Sequence, residues 1–166
     1  HIDPIGTVVM PLIMLLMNPG FFLGWAKPVP FNPMNLKNLR RDPVLIALAG
    51  PASNLLLALA ATIALRIAVT IFGVEPVVYG PVGALLSQLI FINALLLLFN
   101  LIPLPPLDGH YVLHYFLPEG GKRILDSIGP FGIIIVLIVV INTPLLSVPL
   151  EALITALGHM ALWGAS

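Results

Sequence analysis

Three side chains between positions 108 and 114 have the types and spacing of metal ligands. Asp108 carries a carboxylate, and His110 and His114 stand four residues apart, which places two imidazoles on one face of a helix as in many zinc sites. Tyr111 occupies the position at which a metalloprotease helix carries its general-base glutamate. These three residues alone would bring no base to a zinc ion, and histidines on a helix leaving a membrane surface are the simpler interpretation.

A proline-rich stretch precedes Asp108 and closes a long apolar run. Its three prolines lack an N–H and would leave carbonyls four residues earlier without helical partners, so a helix must end near Asn100. Residues before prolines favour extended geometry, which predicts an extended piece over 102–106. A carboxylate near a membrane interior costs roughly 2.5 to 3.5 kcal/mol on insertion scales, so Asp108 requires water, a partner or a metal there. On the residues alone, a solvated turn built on Asp108 and Gly109 is the alternative.

The composition is that of a membrane protein. Apolar residues make up 59% of the chain and charged residues 8%, whereas soluble domains carry roughly 25% charged residues. The mean hydropathy is +1.08. Seven basic residues balance seven acidic ones, which suggests neither nucleic-acid binding nor a polybasic lipid-binding patch. Cysteine is absent, which excludes disulfides and thiolate chemistry.

The apolar runs predict an all-α, polytopic membrane protein with roughly three to four transmembrane helices and no soluble domain. We expect residues 1–166 to form a single transmembrane domain. Segment 4–23 is either a partial, re-entrant span or a full crossing. Residues 24–33 contain too many prolines for a helix, and Trp25 and Lys27 suit the headgroup boundary, so this segment is predicted as an interfacial extended loop.

Two spans are predicted in the middle of the chain and one after it. The first runs from about Pro51 to Phe72, with residues 43–50 leading in from the interface and Arg66 near the far end reaching the opposite headgroups. The second runs from about Pro81 to Asn100. A third span is expected from Ile128 to about Leu146. It is followed by a short membrane-associated helix over 147–163, which is either peripheral or a full crossing.

Basic residues indicate the orientation of these spans. Four lie in 27–41, none in 73–80, and two at 122–123. Because cytoplasmic loops carry the excess of lysine and arginine, we expect loops 27–41 and 110–126 to be cytoplasmic, with the stretch before Asp108 on that side.

Asn54 and Asn100 are amides within apolar runs. Such amides either join helices through hydrogen bonds or point at a substrate backbone, and the residues alone favour the first.

Four motifs together resemble the site-2 protease family of intramembrane zinc metalloproteases. The strongest is Asn-Leu-Ile-Pro-x-Pro-Pro-Leu-Asp-Gly at 100–109, and the second is Ala-Gly-Pro-x-x-Asn at 49–54. The others are Gly-Trp-Ala-Lys-Pro-Val-Pro at 24–30 and His-Ile-Asp-Pro-Ile-Gly at 1–6. The resemblance covers most of the chain and fades after about Glu119.

The resemblance implies one zinc ion, held by two histidines of a His-Glu-x-x-His helix and by Asp108. The family's glutamate activates water for attack on a peptide bond in or beside a transmembrane helix. By analogy Asn100, Asn54 and Pro103 would bind substrate or support the oxyanion. The implied partners are a transmembrane or membrane-proximal peptide and the lipid bilayer, in the cell membrane if the source is prokaryotic.

The sequence departs from this family in one respect, because no His-Glu-x-x-His occurs in its 166 residues. We therefore expect the chain to be the C-terminal part of a larger membrane-embedded protease core, inactive by itself and without a catalytic base of its own. The alternative is a non-catalytic membrane module that binds transmembrane clients. A transporter is disfavoured because the charges within apolar runs are too sparse for a relay.

Overall fold

The computed structural model describes residues 41–163, without the side chain of Pro130. Every regular element in that part is helical, which confirms the all-α prediction. The predicted segments over 4–23 and 24–33 lie outside the described residues. The helices are α1 (Asp42–Phe72), α2 (Val74–Val78), α3 (Pro81–Asn100), α4 (Gly109–Phe116), α5 (Glu119–Ile128), α6 (Gly132–Asn142) and α7 (Ser147–Leu162), with a 3-10 turn at Gly129–Phe131.

α1 and α3 are each long and apolar enough to cross a membrane. At about 1.5 Å per residue they extend roughly 46 Å and 30 Å, against a hydrocarbon core of about 30 Å. Both begin with a proline in the first turn, where a missing N–H costs nothing. The predicted span from about Pro81 to Asn100 is confirmed. α1 ends at Phe72 as predicted, but it begins at Asp42 and continues through Pro51, so residues 43–50 belong to the same helix. Between them, α2 occupies a connector that was predicted only as a loop.

Small residues allow α1, α3 and α7 to pack closely into one core. α1 packs mainly against α3, and α7 contacts both. Ala58 and Ala61 of α1 and Ala161 of α7 are buried in this cluster beside Ile90 and Leu157. Apolar surface facing lipid gains little by association, so close van der Waals contact at small side chains is what holds such helices together.

Arg66 stabilises the end of α7. Its guanidinium donates a hydrogen bond to the main-chain carbonyl of Met160 at 2.8 Å. Met160 lies in the last turn of α7, whose carbonyls have no partner within the helix. The Arg66 side chain is also exposed, and its extension toward the headgroups stays a prediction.

The third predicted span is shorter than expected. α6 begins at Gly132 and ends at Asn142, so the helix predicted from Ile128 to about Leu146 is too long at both ends. α5 and α6 meet at an 83° bend, and they pass as one candidate span only when taken together. At the far end, Asn142 and Thr143 donate to carbonyls of their own helix. Pro144 follows and has no N–H with which to continue it.

The loop between α3 and α4 is a series of turns, and the prediction of an extended piece over 102–106 is wrong. The N–H of Ile102 donates to the carbonyl of Phe99 at 3.1 Å, and that of Leu104 donates to the carbonyl of Ile102 at 2.9 Å. These are carbonyls that the prolines leave without a helical partner. The remaining N–H groups bend back to satisfy them, which folds the loop. The Pro105–Pro106 peptide bond is cis.

Gly109 brings the two ends of this loop together. A Cβ at Gly109 would lie 2.6 Å from the Ile102 carbonyl oxygen and closer still to that of Leu101. On the opposite side, Gly132 at the start of α6 lies against the carbonyl of Pro105. The loop is therefore closed on itself and packed against α6, because two glycines lack the atom that would keep the backbones apart.

We predict that Gly109→Ala destabilises the chain by about 1 to 3 kcal/mol, because the added methyl group meets two main-chain oxygens in a closed loop. Gly120→Ala is the matched control, since nothing lies within 4 Å of a Cβ at that position. The control should change stability by no more than about 1 kcal/mol, in the stabilising direction. Thermal unfolding of the purified chain in detergent measures both. Equal unfolding temperatures for the two variants would contradict the close approach at Gly109.

Candidate functional site

The two strongest motifs meet in space, although they lie in distant parts of the chain. Asp108 stands immediately before α4, and its carboxylate faces Gly50 in the first half of α1. A Cβ at Gly50 would lie 2.9 Å from Oδ2 of Asp108. α4 and α1 are in contact, so the carboxylate is held against the helix by packing.

The Asp108 carboxylate is half-buried and has no protein partner in the described region. No hydrogen bond or ion pair to it occurs among residues 41–163, and it does not cap α4. Burial raises the pKa of its carboxyl group, and the nearby charge of His110 partly offsets that rise. Desolvation disfavours a bare carboxylate, so a cation at this position would stabilise the charged form.

Asn54 shares a face of α1 with Gly50. The two positions are four residues apart, and helical side chains lean toward the N-terminus, so the Asn54 amide lies over the turn that contains Gly50. The side chain is half-buried. Within the described part of the chain it forms no hydrogen bond, so the expected cross-helix bond is not observed for Asn54.

Asn100 and Pro103 precede Asp108, at the end of α3 and in the loop that follows it. Asn100 is the last residue of α3 and precedes Leu101, whose carbonyl meets Gly109. The closed loop therefore brings the end of α3 beside the start of α4. The Asn100 side chain is half-buried and has no hydrogen-bond partner among residues 41–163, and Pro103 is exposed.

The two histidines after Asp108 are engaged elsewhere. Nδ1 of His110 lies 2.6 Å from the Leu107 carbonyl, which assigns the proton to Nδ1 because a carbonyl oxygen only accepts. Nε2 of His114 lies 3.7 Å from a carboxylate oxygen of Asp126 on α5. No group of three metal-binding side chains occurs in the described part of the chain.

The site residues fit a metal ion in part. A carboxylate oxygen is a ligand that zinc accepts, and Asp108 offers one without a competing hydrogen bond. His110 also orders this loop, because its imidazole N–H donates a hydrogen bond to the carbonyl of Leu107, the residue before Asp108. Asp108 would supply one ligand, and no second and third candidate ligand stand with it in residues 41–163.

Sequence reasoning missed two residues, Gly50 beside Asp108 and Asn93 within α3. Gly50 belongs to a quoted motif, but nothing local indicates that its missing side chain makes room for Asp108. The signal was its spacing of four from Asn54, which puts both on one face. Asn93 was also missed, and it is buried in α3 with its amide donating to the Leu89 carbonyl at 2.8 Å.

Comparison with known proteins agrees with the zinc chemistry of the motifs. The chain is 35% identical over 158 residues to a Bacillus subtilis (strain 168) protein named "Putative zinc metalloprotease YwhC". The aligned region covers 94% of this chain and 68% of that relative. No family profile and no solved structure matches the chain. At this identity and coverage, the chain belongs to the zinc metalloprotease family of YwhC.

Proposed function

We propose that this chain is part of an intramembrane metalloprotease of the site-2 protease type, in which Asp108 is one of the zinc ligands. The observation that carries the proposal is the contact between Asp108 and Gly50, where two motifs of that family meet around an unpaired carboxylate. The candidate spans α1 and α3 support placement in a bilayer. The metalloprotease family to which the chain belongs supports the chemistry.

Zinc, when bound in such a site, supplies a Lewis acid that polarises a peptide carbonyl and lowers the pKa of water toward about 7. The role of this chain is to hold the Asp108 side chain in place. The closed loop fixes the main chain of Asp108, and Gly50 leaves the space in which its carboxylate lies. A ligand fixed in this way needs no reorganisation when the metal binds.

Asn54 and Asn100 are proposed to bind the substrate main chain. Each amide offers a carbonyl acceptor and an N–H donor, and neither is used within the described region. A peptide bond in a helix is already hydrogen-bonded, so a substrate must unwind locally before cleavage. The two amides offer partners to the main-chain groups that unwinding frees. The turns over 102–106 offer no strand edge, so Pro103 would contribute apolar contact surface only.

The proposed setting is a multi-pass protein of the cell membrane. The site lies at the end of α3 and in the first half of α1, and in the sequence these parts are followed and preceded by the basic segments 110–126 and 27–41. Under the positive-inside rule, loops 27–41 and 110–126 face the cytoplasm, so cleavage occurs near the cytoplasmic surface. The substrate is a transmembrane or membrane-proximal peptide.

A non-catalytic module that binds transmembrane clients is the second candidate. The observation that favours it is the absence of His-Glu-x-x-His from the 166 residues. In that case Asp108 would be a loop residue and the protein would hold no zinc.

We predict that Asp108→Asn lowers cleavage by more than about 100-fold in protein expressed from its complete reading frame, because changes around a zinc ligand already cost 10 to 100-fold. The amide keeps the size of the side chain but removes its charge. A membrane-tethered peptide substrate reports cleavage, and metal analysis of the purified protein reports zinc content, which should fall with activity. A zinc chelator should abolish cleavage by the unmodified protein.

Three results would decide between the two candidates. Undiminished cleavage in the Asp108→Asn variant or with the chelator would rule out the zinc assignment. Purified unmodified protein without zinc and without cleavage would support the non-catalytic module.

We predict that Asn54→Ala and Asn100→Ala each lower kcat/KM by about 100-fold while leaving zinc content unchanged, as loss of one well-placed donor does. Asn142→Ala is the control, because its exposed amide only donates to the Ile138 carbonyl of its own helix. Cleavage by the control should match that of the unmodified protein. Loss of zinc in the Asn54 or Asn100 variants would instead assign these residues to the architecture of the metal site.

We predict that Gly50→Ala lowers cleavage by about 10 to 100-fold, because its methyl group lies 2.9 Å from Oδ2 of Asp108 and displaces a ligand. Gly158→Ala in α7 is the matched control, with nothing within 4 Å of the added Cβ. Zinc content and cleavage of both variants are measured together. Full activity and full zinc content in Gly50→Ala would show that the position of the carboxylate is not critical.

A further inference from the structure

α5 separates its apolar and charged side chains more sharply than any other helix of the described region. On a helical projection of about 100° per residue, Gly121, Ile124, Leu125 and Ile128 share one arc of about 100°. The charged residues occupy the other side. They are Glu119, Lys122, Arg123 and Asp126.

The apolar arc of α5 faces two different environments. Leu125 is 4% exposed and therefore packs against the protein. Ile124, about 100° around the helix, is 66% exposed. Large exposed rings lie just beyond both ends of α5, at Phe116 (76%) and Phe131 (65%). The Leu125 side of the apolar arc thus packs against the protein, whereas no described residue covers the Ile124 side.

The neighbouring helix α6 indicates what covers the exposed Ile124 side of α5. α6 is almost wholly apolar, and most of its large side chains are exposed, so its surface belongs against lipid. α5 meets α6 at 83°. If α6 follows the acyl chains, α5 lies nearly parallel to the bilayer surface. A sharply amphipathic helix in that orientation is the usual form of an interfacial helix.

The charged side of α5 suits lipid headgroups. Lys122 pairs with Glu119 at 2.7 Å, whereas the exposed Arg123 pairs with no residue of the described region. A guanidinium is complementary to phosphate oxygens, which it binds in a planar fork. The exposed rings flanking the helix, Phe116 and Phe131, are apolar and suit burial beside the acyl chains with the apolar face of such a helix.

We propose that α5 lies in the headgroup layer of the bilayer, with Ile124 toward the acyl chains and Arg123 among the lipid headgroups. This inference does not depend on the proposed protease activity. It gives α5 a role toward the site, because both of its neighbours hold the Asp108 loop. α4 follows Asp108 and contacts α5 through His114 and Asp126, and α6 lies against the loop through Gly132. The depth of α5 therefore sets the depth of the loop.

The absence of cysteine makes a direct test possible, because a single introduced cysteine carries a nitroxide label to one position. The full chain is reconstituted in vesicles of phosphatidylethanolamine and phosphatidylglycerol. Label depth is read from the relative accessibility to oxygen and to a water-soluble nickel chelate. All four labelled positions are exposed, namely Gly120→Cys, Arg123→Cys, Ile124→Cys and Ser127→Cys.

Two matched pairs separate the possible orientations. Gly120 and Ser127 lie about 20° apart around the helix but about 10 Å apart along it, so equal depth is expected for a helix parallel to the surface. Arg123 and Ile124 lie about 1.5 Å apart along the helix but 100° apart around it. The Ile124 label should therefore lie deeper than the Arg123 label, by about 5 Å.

Other outcomes overturn the proposal. One such outcome is a depth difference of about 10 Å between the Gly120 and Ser127 labels, together with equal depth of the Arg123 and Ile124 labels. That result would show that α5 continues a transmembrane span. Free access of the nickel chelate to all four labels would place α5 in water. In either case the zinc assignment of Asp108 stands or falls on its own test.

Discussion

The contact between the Asp108 carboxylate and the bare main chain of Gly50 is the constraint around which this structure is arranged. It requires α1 to present a position without a Cβ, and it requires the end of α3 to return toward α1 at a fixed place. The first condition is met within the Ala-Gly-Pro-x-x-Asn motif and the second by the loop before α4. Two sequence motifs that look independent are thus the two halves of one contact, and neither has an evident purpose without the other.

The prolines of the loop do more than end a helix. Each removes a donor, and each lost donor frees a carbonyl that must find another partner or water. The N–H groups that remain, such as those of Ile102 and Leu104, turn back toward these carbonyls. Gly109 then allows the ends of the loop to touch. The result is a short, closed loop without regular secondary structure, in which carbonyls freed by the prolines find partners within the loop.

How far the sequence predicts this protein depends on the range of the interactions involved. The bounds of α3 follow from local signals, a proline in its first turn and a proline-rich stretch after its end, and the predicted end of α1 at Phe72 agrees with Gly73 following it. The chemical importance of Asp108 also followed from local motifs, although its role as a ligand is a proposal. Contacts between distant residues were not predictable, including Gly50 with Asp108 and Arg66 with Met160. The extended conformation expected over 102–106 failed because the preference of residues before proline is weaker than the need to satisfy freed carbonyls.

The surroundings of Asp108 differ from those of an ordinary aspartate at a helix start. A structural aspartate at the start of a helix ordinarily accepts hydrogen bonds from the first N–H groups, and Asp108 does not cap α4. Its carboxylate instead faces α1, in surroundings that raise its pKa. A protein that needed only a turn here would gain by using the cap or by exposing the charge, since an unpartnered, partly desolvated carboxylate costs stability. A positive charge beside Asp108 would offset this cost, which is the physical basis on which Asp108 is proposed as a metal ligand.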